Sequence, residues 1–253
     1  MDKDLDGKTA VVTGGSRGLG AALVKELCGR GARVAVIARD AERLRRSLAE
    51  HGDAALAMPA DLCDPAQVRG AFERIGEALG PLGFLVNNAG AGNWYPIERL
   101  PDGEIAMQLG TNFTAAVYCT RAAIPLMRRG GGGVILNVSS ESAQQPVHGL
   151  ALYGASKAAL EAFSLAANLE LRADRIKAMV VRLGRMKDTG FSKGWDPASR
   201  AEAVQRWKEE GRFALEGETM DTAVVARTMV DLLRVPPSAQ VRLVDLREYD
   251  AGL

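Results

Sequence analysis

Tyr153 and Lys157 stand four residues apart in a stretch with helical spacing, which puts their side chains on one face, one turn from each other. A free phenol loses its proton at about pH 10, too high for acid and base work at neutrality. A neighbouring ammonium stabilises phenolate and is expected to lower that value, so the pair can give a proton to a carbonyl oxygen or take one from a hydroxyl. A second group, Thr13-Gly14-Gly15-Ser16-Arg17-Gly18-Leu19-Gly20, follows directly on an apolar run and leads directly into a helical pattern. Glycines at such a turn permit positive φ and close backbone approach. The amides of Gly14 to Gly20, Ser16 and Leu19 included, and the helix N-terminus can then lie against a pyrophosphate. The spacing is GxxxGxG and not GxGxxG, so its weight comes from the order run, turn, helix.

Groups placed this way need a sheet whose carboxyl edge they share. Runs rich in valine and isoleucine recur at 9–13, 33–38, 54–58, 84–87, 134–138 and 176–181, as strands buried on both faces require. Between them, 19–29, 41–50, 65–79, 103–127 and 153–171 have helical spacing, and 222–233 followed by 241–244 continues the alternation. Strand then helix, repeated, predicts an α/β fold: a doubly wound parallel sheet with right-handed crossovers. The 253 residues, 47% hydrophobic and 25% charged, suffice for a core, and no linker divides them, so one domain over 1–253 is expected. The glycine run 130–133 reads as a helix-to-strand turn. The segment 184–222 breaks the alternation, with one short helix at 197–208, and is expected to cover the substrate.

Composition removes other classes. A net charge of +1 offers no basic field for nucleic acid. Cys28, Cys63 and Cys119 lack CxxC spacing, and with two histidines there is no structural zinc set, so no metal is expected and the thiols are read as reduced and buried. No apolar run approaches the roughly 18 residues of a membrane span. The start, 1–8, carries three aspartates, and the expected location is the cytoplasm.

The glycine turn, with the spacing TGxxxGxG, is similar to that of the short-chain dehydrogenase/reductase family. The likeness extends to Asn87-Asn88-Ala89-Gly90 after the fourth strand, to Tyr153-Gly154-Ala155-Ser156-Lys157, and to Ser140, thirteen residues before Tyr153. These motifs run in order over some two-thirds of the chain, residues 9–181. The resemblance implies a Rossmann fold and an oxidoreductase in which Ser140, Tyr153 and Lys157 are catalytic. Ser140 would hold the reacting oxygen from the end of the fifth strand, while Ser139 points to the opposite side. Asn112 resembles the fourth catalytic member, with a polar helix residue as the other reading. The resemblance also implies that Lys157 binds the nicotinamide ribose together with Tyr153, that Asp61 and Leu62 flank the adenine, and that Asn88, Ala89 and Gly90 pass beneath its ribose.

An acidic residue at the end of the second strand would bind the ribose hydroxyls and repel a 2′-phosphate. Here Ala38 takes that place and Arg39 follows, able to fork two donors onto a phosphate, with Arg17 closing on the same group. NADP(H) is therefore expected, unless the strand runs two residues longer and Asp40 becomes the ribose acid. The reaction expected is hydride transfer between NADP(H) and a small-molecule ketone or aldehyde, or its alcohol, with Tyr153 as general acid and base. The alternative is an NADP(H)-binding sensor without turnover. Trp94, Tyr95, Phe191 and Trp195 suggest apolar walls, or loop anchors, and His148 an ordinary loop residue. The chain departs from the family at Leu183-Gly184, where proline-glycine is usual. Thr189 stands one residue late for the nicotinamide carboxamide, and Asp188 is the other occupant of that place. A homodimer or homotetramer is expected, built on the helices at 103–127 and 153–171 unless their apolar faces are intramolecular core.

Overall fold

Side chains that pack whichever way they point are what a strand buried on both faces needs, and the valine-rich runs supply them. The computed structural model describes residues 3–187, 189–211, 219–236 and 238–248. Its strands are β1 (Thr9–Thr13), β2 (Arg33–Ala38), β3 (Ala55–Pro59), β4 (Phe84–Asn87), β5 (Gly133–Ser140), β6 (Ile176–Leu183) and β7 (Leu243–Leu246). All pair in parallel, in the order β3-β2-β1-β4-β5-β6-β7, so the chain reverses direction across the sheet between β1 and β4 and opens a crevice there. The helices are α1 (Gly18–Gly29), α2 (Ala41–Leu48), α3 (Pro65–Leu79), α4 (Asp102–Leu109), α5 (Ala115–Arg129), α6 (Ala151–Glu170), α7 (Pro197–Glu209) and α8 (Thr222–Leu233). Asp40, Asp64, Asp196 and Asp221 each accept backbone N–H groups at the starts of α2, α3, α7 and α8, which fixes where those helices begin.

Successive strand residues serve opposite layers. Val12, Val36, Val86 and Leu136 pack with α1 and α8, whereas Val11, Ile37, Leu85 and Ile135 pack with α3 and α5. Asn87 and Asn137 are register partners across this sheet, and the Asn87 Nδ2 donates to Asn137 Oδ1 at 2.8 Å, while Asn87 Oδ1 is buried without a hydrogen bond. Asn137 Nδ2 in turn donates to Ser164 Oγ at 2.8 Å, and Ala178 N donates to Asn168 Oδ1 at 2.8 Å, so α6 is stitched to β5 and β6 along its inner face. That stitching sets the height at which Tyr153 and Lys157 emerge.

The doubly wound parallel sheet is as expected, and three local readings are corrected. The segment 103–127 is not one uninterrupted helix, because a π turn, Gly110–Thr114, joins α4 to α5 and carries Asn112 buried inside it. One extra residue per turn leaves the hydrophobic period almost intact, so periodicity alone does not reveal it. The last strand lies two residues later than 241–244, at Leu243–Leu246. Cys63 is exposed and Cys28 half-buried; only Cys119 is a buried thiol, and burial pushes it up to about 12.

Replacing Asn137 by alanine removes the acceptor of the Asn87 amide and the donor to Ser164. The expected loss is about 1–3 kcal/mol. It should appear as a lower denaturant midpoint with an unchanged slope.

Candidate active site

The glycine turn folds back over the end of the sheet because Gly14 N donates to Ile37 O at 2.8 Å and Gly14 adopts φ +68°. Gly20 is required for a different reason: a Cβ there would lie 2.3 Å from the Gly14 carbonyl oxygen and 2.6 Å from Asn88 Nδ2. Thr13 ties this turn to the loop after β4, its Oγ1 accepting from Asn88 N and Ala89 N, each at 3.0 Å. The Asn88 amide answers by donating to Thr13 O at 2.9 Å and Gly14 O at 3.3 Å. Asn88 and Ala89 thus stand beside Gly14 and Gly20. Helix α1 begins at Gly18 with no side chain capping it and no acidic residue in its first turn, which leaves its amides and positive dipole end for a ligand anion.

Arg17 and Arg39 are exposed, and among the described residues neither has an ion-pair partner. Asp40 is engaged instead as the cap of α2, accepting from Arg43 N at 2.9 Å. Asp61 accepts from Cys63 N at 2.9 Å and shapes the turn before α3, whereas the Leu62 side chain is buried in the core, so at position 62 only backbone faces the crevice edge.

On the other side of the crevice, β5 ends at Ser140, close enough to the Tyr153 phenol to favour its ionised form. Ser139 points away and donates to Glu161 Oε1 at 2.6 Å. Tyr153 lies in the first turn of α6, and Lys157, one turn on, is buried with its Nζ 2.8 Å from the Val138 carbonyl and 5.8 Å from the Tyr153 ring centroid. Asn112 holds the loop after Gly90 in both senses, accepting from Ala91 N at 2.8 Å and donating to Ala91 O at 2.8 Å and Ser156 Oγ at 2.9 Å. Gly90 leaves room for both groups, since a Cβ there would be 3.2 Å from Lys157 Nζ and 3.4 Å from Asn112 Oδ1.

The tuning of the phenol differs from the expectation. Burial pushes Tyr153 up to about 12, and Ser140 opposes it only in part. Burial pushes Lys157 down to about 8. In this geometry desolvation outweighs the attraction between the two side chains, because the ammonium is directed at the Val138 carbonyl.

Described residues of the segment after β6 pack against the glycine turn and Tyr153. The Thr189 backbone packs on Gly18, with its carbonyl oxygen 3.0 Å from where a Cβ would stand, and Asp188 lies outside the described residues. Phe191 rests on the Tyr153 ring at 5.0 Å between centroids and on Trp195 at 5.7 Å. Behind it Trp94, Leu150, Trp195, Ala203 and Trp207 form a third buried cluster. Trp195 Nε1 donates to Gly92 O at 2.6 Å, and both Trp94 and Trp207 donate to His148 O at 2.9 Å. His148 also stacks on Trp94 and meets Glu210 at 3.2 Å, so it is an anchor of this wall. Sequence reasoning missed the part of Thr13, though it opens the glycine motif, and the parts of Gly92 and Trp207, which no spacing signals.

The family model described as short chain dehydrogenase matches residues 8–200. The chain belongs to that family. A short-chain type dehydrogenase/reductase from Picea abies is 32% identical over 231 residues, which covers 87% of this chain and 84% of that one. A metagenomic short-chain oxidoreductase solved in complex with NADP superposes with a TM-score of 0.78 at 28% identity, over 96% of this chain and 98% of its own. A 3-ketoacyl-(acyl-carrier-protein) reductase from Brucella melitensis, complexed with NADH, gives 0.84 at 26% identity over 99% and 100%. The chain is an oxidoreductase of the short-chain dehydrogenase class, and no helix among its described residues is long and apolar enough to cross a membrane.

Thr13→Val keeps the shape and removes the acceptor of two buried N–H groups. Stability should fall by about 1–3 kcal/mol. Hydrogen exchange should report faster opening at Asn88 and Ala89 than at β5.

Proposed function

We propose that this short-chain dehydrogenase interconverts a ketone or aldehyde with its alcohol, using NADP(H) and Tyr153 as general acid and base. The observation that carries the reading is the placement of Ser140 and Tyr153, with Lys157 one helical turn on, at the carboxyl edge of the sheet, across one crevice from the glycine turn. NADP(H), when bound, supplies or removes the hydride. The uncapped start of α1 with Gly14, Ser16, Gly18, Leu19 and Gly20 would hold its pyrophosphate, and Arg17 and Arg39 its 2′-phosphate. Asp61 and the Leu62 backbone would border the adenine, Asn88 to Gly90 its ribose, and Thr189 the nicotinamide amide. Lys157 would hold the second ribose.

Ser140 steadies the substrate oxygen as charge develops there, and Tyr153 delivers the proton to it. Held at about 12, the phenol is protonated throughout the physiological range, so it is ready as an acid without prior proton uptake. Asn112 serves by fixing Ala91 and so the floor of the crevice. The described part of the segment 184–222 covers the substrate, with Phe191 next to Tyr153, and its aromatic lining fits a medium-sized, partly hydrophobic carbonyl compound; 188 and 212–218 lie outside the described residues. Leu165 and Leu169 on α6 and Ile105 and Leu109 on α4 are exposed, which supports a homodimer or homotetramer through these helices. Three free thiols suit a reducing compartment such as the cytoplasm.

NADPH oxidation against a panel of ketones and aldehydes tests the reading, and silence across the panel with retained NADPH binding would favour a sensor instead. Tyr153→Phe should lower turnover by about 10²-fold or more while leaving NADPH affinity within twofold. Arg39→Asp should weaken NADPH binding about tenfold or more and spare NADH, as loss of a charge-assisted hydrogen bond requires. For reduction, kcat/KM should fall as pH rises through about 8, where Lys157 loses its charge, and Lys157→Met should abolish that limb.

A further inference from the structure

Glu141 follows Ser140 directly, on a short 3-10 turn, Glu141–Ala143, that the mechanism above leaves unused. The turn is pressed against the start of α6, where a Cβ on Gly154 would lie 2.5 Å from the Ser142 carbonyl oxygen. It is held from β5 as well, by Ser142 N donating to Ser140 Oγ at 3.3 Å. The Glu141 carboxylate meets Arg247, from the end of the chain, at 3.4 Å. That guanidinium also donates to Gln145 Oε1 at 3.0 Å and to both Asp245 oxygens, at 2.9 and 3.2 Å. Asp245 continues to Arg182 at 3.2 Å, Arg182 to Glu161 at 2.7 Å, and Glu161 to Ser139 at 2.6 Å. A second arm joins Glu248 to Arg185 at 2.6 Å. The charges therefore form a band from Ser140 round to Ser139, the last two residues of β5.

Among the described residues this band holds four carboxylates, Glu141, Glu161, Asp245 and Glu248, against three guanidiniums, Arg182, Arg185 and Arg247. Three of the carboxylates accept charged hydrogen bonds at 2.9 Å or less, while the Glu141 contact is the long one at 3.4 Å. Glu141 is the acid of the band with the longest ion pair.

We propose that Glu141 is a second titrating group of the active site, whose charge sets how readily Tyr153 gives up its proton, and that Arg247 is a positioning residue acting through it. The proposal rests on the carbonyl-reduction reading. Burial, with Glu248 and Asp245, raises the Glu141 carboxyl above the ordinary carboxylate range, against Arg247 and Arg185. Tyr153 is faced by Ser140 from β5, Glu141 from the turn, Lys157 from its own helix and Phe191 from the segment after β6. An anion beside a phenol disfavours phenolate, so Tyr153 is the weaker acid while Glu141 is ionised and the stronger acid once it is protonated. Reduction then quickens as pH falls through the Glu141 range.

The test compares wild type, Glu141→Gln, Arg247→Gln and Arg247→Lys by the pH profile of carbonyl reduction and by the carbonyl ¹³C shift of Glu141 in glutamate-labelled protein. Wild-type kcat should rise about threefold as pH falls through the Glu141 range. Glu141→Gln should erase that rise, Arg247→Gln should move its midpoint and the ¹³C titration to higher pH, and Arg247→Lys should restore both. A rise that persists in Glu141→Gln overturns the proposal, and so does a ¹³C midpoint indifferent to Arg247→Gln. The ¹³C titration needs no turnover, so a wild type inactive toward every carbonyl would defeat the carbonyl-reduction reading and still leave the Arg247–Glu141 link decided.

Discussion

A buried ammonium must find an oxygen, and Lys157 finds the carbonyl of Val138, two residues before the end of β5. That one contact locks α6 in register with the strand that carries Ser140. With Asn137–Ser164 below it and Asn168–Ala178 further along, the polar face of α6 leaves little freedom for sliding. Tyr153 emerges where Ser140 ends because both are fixed to the same strand. The rest of the site is arranged around that line: the loop after β4 is fastened to Asn112 on one side and to Thr13 on the other.

Burial has opposite consequences for the two partners of this line. It strengthens the phenol's grip on its proton and weakens that of the ammonium, bringing a group of ordinarily high basicity to about 8. A helical spacing of four residues announces that a tyrosine and a lysine share a face; it is silent on whether the charge is aimed at the ring or at a backbone carbonyl. Here the carbonyl wins.

Much of the fold was legible because parallel strands buried on both faces leave an unmistakable record in valine and isoleucine, whereas the aspartates that cap α2, α3, α7 and α8 went unread. The glycine turn was singled out by its place between a strand and a helix, Tyr153 and Lys157 by their spacing of four, and Ser140 by the family's distance to Tyr153. What escaped the sequence depends on contacts across long separations. Asn112 enters the interior through a π turn that hydrophobic periodicity does not register. Trp207 joins Trp195 and Trp94 from three separate segments, and the link between Glu141 and Arg247 spans 106 residues.

All 3 tryptophans of the chain belong to the wall beside Tyr153. The indole of Trp195 touches Phe191, the residue that lies on the phenol, and hydrogen-bonds the backbone of the loop after β4. Tryptophan emission from this molecule, excited to the red of tyrosine absorption, therefore originates wholly in this wall, with nothing contributed by the distant layers of helix. Nature has in effect supplied a local optical gauge: whatever enters, leaves or loosens that doorway changes the colour or brightness of the entire molecule, without any dye.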